Sequence, residues 1–193
     1  LLLVMLAGSS RAATRWVTER EGAPVRWQAW GPAAFERAKK ENRPIFLFIG
    51  SASSYEHYRM HREVFLNGEI AEYLNAYFVP IVLDRIEYPE VARAYESILP
   101  ATTVFLLTPS LEPFAGAGFV KPDELNRLLV INANRWASEK DAVIAEARAN
   151  VEKARAMKAK RIAEEAEDLL ALAASPRHDH LGGGFHRSAD ALE

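Results

Sequence analysis

Pro44-Ile45-Phe46-Leu47-Phe48-Ile49 is an apolar run with no polar position to mark a face turned to water. It is too short for a helix, and a strand that is apolar on both sides must be covered on both sides. The run therefore predicts a central strand with a helical layer above and below it. Phe78-Val79-Pro80-Ile81-Val82-Leu83-Asp84 and Thr102-Thr103-Val104-Phe105-Leu106-Leu107 repeat the signal. Pro80 has no amide hydrogen, so its segment is expected to pair early or on one side at that position.

Helical patterns separate these runs. Pro32 suits a first helical turn, with Ala34, Phe35 and Ala38 on one face and Asn42-Arg43-Pro44 as the stop. From Ser54 to about Tyr77 the residues Tyr58, His61, Phe65, Ile70 and Leu74 recur at helical spacing, with Asn67-Gly68 as a break. Glu87-Tyr88-Pro89-Glu90 opens a helix through Val91, Ala94, Tyr95 and Ile98, and Thr108 to Pro113 turns the third strand into a short partner around Phe114. Lys121-Pro122-Asp123-Glu124 starts the closing helix. This order predicts an α/β fold, a three-layer sandwich around a mixed sheet. After Trp136 the chain turns to Ala, Glu, Lys and Arg up to Ser175-Pro176, which reads as one long helix. Its larger apolar residues, among them Val143, Val151, Ile162, Leu169 and Leu170, are thinly spaced, so it is either a solvated tail or a brace for another domain or partner.

At 193 residues, 49% hydrophobic and 26% charged, the chain can bury one sizeable core with appendages. A net charge of −2 leaves no electrostatic footprint for nucleic acid. There is no cysteine, so the chain supplies no disulfide, thiolate ligand or thiol nucleophile. Leu1 to Ala7 is a short apolar run followed by small residues, the pattern of a signal-peptide remnant, and it predicts export to the periplasm or beyond. With Arg11 and Arg15 close behind, it falls far short of the roughly 20 apolar residues of a membrane span.

Trp27-x-x-Trp30-Gly31, the block Ala34-Phe35-x-x-Ala38-Lys39-x-Glu41-Asn42-x-Pro44-Ile45-Phe46-Leu47-x-Ile49-Gly50, then Met60, Glu63, Phe65, Leu74-Asn75, Phe78-Val79-Pro80-Ile81 and Asp84-Arg85 resemble the thioredoxin-like domain of the YyaL and spermatogenesis-associated protein 20 family. The likeness covers about residues 25–130. It implies a thioredoxin-like domain, taken over 16–130; the N-terminal run and the later composition assign the leader remnant to 1–15 and a long helical extension to 131–175. The tail at 176–193, with His180-Leu181-Gly182-Gly183-Gly184-Phe185-His186-Arg187, resembles a scrap of the (α/α)-barrel region that follows in the family. The resemblance places the family's Cys-x-x-Cys slots on Ser54 and His57 and its cis-proline slot on Thr102, for which a trans bond is expected without proline. Tyr88 stands where an Arg is usual.

Thiol–disulfide exchange needs a sulfur nucleophile, so Ser54 cannot take it over. Ser54 and His57, with Glu56 nearby, compose a candidate hydrolytic pair, against which stands a plain structural reading: Ser54 caps a helix and His57 is a partly exposed surface residue. His57 and His61 have the i,i+4 spacing that can share a metal, with Glu63 as helper, and His178, His180 and His186 cluster in the tail. Ordinary surface or packing roles are the preferred reading of these histidines, and core packing that of the aromatics Trp27, Trp30, Phe35, Phe46 and Phe48. Asp84-Arg85 ends a strand and reads as a local ion pair or cap. The expected function is a redox-inactive binding or scaffolding module without a cofactor, meeting an unknown protein or peptide at Ser54, Tyr55, His57, Thr102 and Thr103 with Asp84 and Arg85 alongside. A metal- or Ser/His-dependent hydrolase and a fragment of a larger barrel protein are the alternatives.

Overall fold

The computed structural model describes residues 24–51, 54–100 and 103–173. The expected leader, the Thr102 peptide bond and the histidine-bearing tail lie outside them. Strands β1 (Gln28–Ala29), β2 (Ile45–Gly50), β3 (Val79–Asp84), β4 (Val104–Leu107) and β5 (Pro113–Ala117) form one sheet in the order β1-β3-β2-β4-β5. β3 runs parallel to β1 and β2, while β2–β4 and β4–β5 are antiparallel. This is the mixed sheet of the sequence reading, with β2 in its middle and a two-residue β1 added at the edge.

All six residues of β2 are buried, and their alternation divides them between two cores. Phe46 and Phe48 enter one, and Ile45, Leu47 and Ile49 the other. Helix α1 (Pro32–Glu41) and helix α4 (Pro89–Ile98) cover the second core through Phe35, Ala38, Val91 and Tyr95. On the opposite face lie α2 (Tyr55–Arg59), a π-helical continuation (Met60–Phe65), α3 (Gly68–Tyr77) and α5 (Pro122–Ser138), which bury Met60, Phe65, Leu74, Leu129 and Trp136. Asn67 caps α3 by accepting from the amides of Glu69 and Ile70 at 3.0 and 3.2 Å, so the expected break is a helix start.

Pro80 is accommodated by direction. The Val79 amide donates to Pro44 O on the β2 side at 2.9 Å. Alternation turns the Pro80 nitrogen toward β1, and β1 pairs only with Ile81 and Val82. No ladder donor is missed.

Two features depart from the sequence reading. The π segment, closed by the Leu66 amide donating to His61 O, widens the helix by a residue. Met60, His61, Val64 and Phe65 thereby share the buried side, and Tyr58, expected among them, is exposed. The C-terminal helix is not continuous from Trp136: Glu139 interrupts it, and α6 (Lys140–Ala173) follows. Packing supplies the reason. Trp136, Val143 and Ala147 all enter the same core, and the Trp136 indole N–H and the Lys140 ammonium both donate to Asn42, to its carbonyl at 3.0 Å and its side chain at 2.5 Å. The compact unit runs on to Val151, and Glu152 begins a second unit, described to Ala173 as helix. Among the described residues no helix is long and apolar enough to cross a membrane.

Candidate functional site

The C-terminal ends of β2 and β3 and the start of β4 meet at one end of the sheet. Gly50 lies in register with Asp84, the Arg85 amide donates to Gly50 O at 2.9 Å, and the Ile49 amide donates to Thr103 O at 2.9 Å. The topology thus gathers Ser51, Ser54, His57, Asp84, Arg85 and Thr103, which are far apart in sequence. Open α/β sheets place ligands beyond the carboxyl ends of parallel strands.

Ser54 stands immediately ahead of α2. Its carbonyl accepts from the Tyr58 amide at 3.0 Å and its Oγ from the His57 amide at 3.5 Å, so both oxygens serve the first helical turn. His57 is buried, not partly exposed, because its ring lies edge-on against Phe48 with centroids 5.6 Å apart. Its Nδ1 accepts from the Ser51 amide at 2.7 Å. A neutral imidazole that accepts at Nδ1 carries its proton on Nε2, so this tautomer has no lone pair there with which to deprotonate a serine. The same contact occupies Nδ1 against a metal.

His61 is buried within the π segment, whereas Glu63 is exposed and held by two hydrogen bonds from Arg59, at 2.8 and 2.9 Å. Those hydrogen bonds keep the Glu63 carboxyl below its usual range. The two residues face different media, which separates Glu63 from any metal held by His57 and His61. Among the described residues no three His, Asp or Glu side chains gather into a metal site.

Asp84 Oδ1 accepts from the Ile86 amide at 2.8 Å, and Arg85 donates to Glu96 on α4 at 2.5 Å. Tyr88 packs against the second core at the start of α4. The exposed part of the edge is aromatic: Tyr55 is 74% exposed and Tyr58 44%, stacked with centroids 6.5 Å apart. Arg62 donates to the Tyr58 hydroxyl at 3.1 Å, and Arg59 lies 4.8 Å above the ring of Phe119. Tyr55 was legible in sequence. Tyr58, Arg62 and the Ser51 amide were not, since the first two depend on the π turn and the last is backbone. The cavity of about 540 Å³ beside α3, lined by Arg26, Glu69, Glu72 and Asn75, includes none of these residues.

The family described as Thioredox_DsbH, Protein of unknown function, DUF255, matches residues 9–156. Spermatogenesis-associated protein 20 of Rattus norvegicus is 35% identical over 134 residues, and that of Homo sapiens 33% over the same length. The matched region covers 63% of this chain and spans only 17% of the length of either relative. Among solved structures, the solution structure of a thioredoxin from Thermus thermophilus superposes with a TM-score of 0.51 at 22% identity, covering 58% of this chain and 89% of that one. The last likeness bears on the fold alone, and it is the thioredoxin-like fold that the sequence resemblance implied.

Proposed function

The chain belongs to the Thioredox_DsbH family of unknown function, DUF255, and within it we propose a domain that binds or scaffolds a protein or peptide at the sheet end carrying Ser54 and does no thiol chemistry. The observation that carries this reading is the division of labour along α2. Ser54 and His57 are spent on the chain's own backbone, while Tyr55 and Tyr58 stand out into solvent beside them. A stacked aromatic pair offers a large contact area at low entropic cost, the kind of feature that dominates recognition surfaces. The absence of cysteine removes disulfide exchange by this chain alone. The tautomer imposed on His57 weighs against a Ser54/His57 hydrolase.

The test is a titration of the isotope-labelled protein with a panel of extended peptides of varied charge and aromatic content. Amide shifts are expected to concentrate on Tyr55, Tyr58, Arg85 and Thr103, and Tyr55→Ala with Tyr58→Ala is expected to weaken binding about tenfold, or about 1.4 kcal/mol. Shifts confined to another surface, or insulin disulfide reduction above background, would overturn the reading.

A further inference from the structure

Within α6, residues 152–173 carry an apolar face that no described side chain of the same segment covers. Ile162, Leu169 and Leu170 are 54%, 67% and 71% exposed. Ile162 and Leu169 lie two helical turns apart and so on one line of the helix. Ala159, Ala166 and Ala173 fall between and beyond them at alternating steps of three and four, which is the spacing of a coiled-coil seam. The charges of the segment are sorted along its length. Lys153, Arg155, Lys158, Lys160 and Arg161 precede Ile162, with Glu152, paired to Arg155 at 2.7 Å, the one acid among them, whereas Glu164, Glu165, Glu167 and Asp168 follow it.

We propose that this segment is the interface of an antiparallel homodimer, in which α6 of one copy lies against α6 of a second. Two properties select that occupant and that direction. A helix basic in one half and acidic in the other is complementary to itself when reversed and repels itself when parallel. The seam also alternates small and large residues: alanines occupy one of its two core positions and Ile162 and Leu169 the other. Reversing one helix sets each small position opposite a large one, whereas parallel pairing would set alanine against alanine and leave gaps. The ion pairs Lys160–Glu164 at 3.6 Å and Arg161–Glu165 at 3.4 Å, each at i,i+4, stiffen the helix at the changeover of sign.

Sedimentation velocity of the full chain tests this. The wild type is expected to populate a species of twice the 21.6 kDa chain mass at micromolar concentration, less so as salt rises. Two variants separate the terms: Lys158→Glu with Lys160→Glu and Arg161→Glu, and Glu164→Lys with Glu165→Lys and Glu167→Lys. Each alone is expected to sediment as a monomer, and an equimolar mixture is expected to restore the dimer. Ile162→Gln with Leu169→Gln leaves every charge in place and is expected to be monomeric with unchanged helix content by circular dichroism. A wild type that stays monomeric at several hundred micromolar would overturn the proposal, and so would a charge variant that dimerises alone as well as the wild type does.

Discussion

β2 and the segment that leaves its C-terminal end are consecutive in the chain and depend on different things. In β2 every side chain is buried, and what matters is volume and apolarity on both faces. At Ser51, Ser54 and His57 what matters is individual atoms: one hydroxyl on one amide and one ring nitrogen on another. A structure can therefore keep its frame while the chemistry at the strand end changes, because the frame does not rest on the residues that would do the chemistry.

Phe48→Ala tests that contrast most severely. Phe48 packs against Trp27, Phe65 and His57, so its removal opens a cavity lined by three rings from separate parts of the chain. A loss of about 3–5 kcal/mol in urea unfolding is expected. Ser54→Ala, by comparison, removes a cap whose oxygen lies 3.5 Å from its donor, and about 0.5 kcal/mol is expected. Comparable losses from the two variants would mean that the strand end carries the fold and would break the comparison.

A second test probes the other core. Tyr95 is fully buried and donates its hydroxyl to Leu111 O at 3.0 Å, and burial pushes its ionisation far above the usual tyrosine range. With the folded value raised, the stabilisation is complete below the unfolded pKa of about 10. Above it the unfolded chain releases the proton while the fold retains it, so stability falls by about 1.4 kcal/mol per pH unit. Tyr95→Phe is expected to cost about 1 kcal/mol at pH 7 and to flatten the alkaline slope. Urea midpoints between pH 9 and 11 for both proteins check this, and an unchanged slope would place the titrating group elsewhere.

Much of the frame was legible because its signals are redundant. β2, β3 and β4 are apolar runs, Asn67-Gly68 breaks the helical pattern where α3 begins, and Pro80 announces one-sided pairing. What was not legible depends on contacts distant in sequence. Glu139 is no helix breaker, and the interruption there follows from the joint burial of Trp136 and Val143. A 3.6-residue period put Tyr58 inside, and only the π turn turns it outward. β1, at two residues, has no period to read. At the site, Ser54 as a cap was open to sequence reasoning, but the burial of His57 was not, since its partners are a backbone amide and a phenylalanine face from the strand before it.

Thr103 stands where the two regions meet, and it gives the sharpest test of where one ends and the other begins. Its backbone belongs to the sheet: the amide donates to Ala117 O and the carbonyl accepts from the Ile49 amide, both at 2.9 Å. Its hydroxyl is shielded from solvent and hydrogen-bonded to no described residue. A buried hydroxyl left without a partner costs about 1–3 kcal/mol, whereas a methyl group of the same shape costs nothing there. If Thr103 belongs energetically to the frame, Thr103→Val stabilises the domain by up to about 1 kcal/mol, a rise of about 2–4 °C in Tm for a chain of this size. A fall in Tm would show that the hydroxyl is paired and that the strand end claims this residue too.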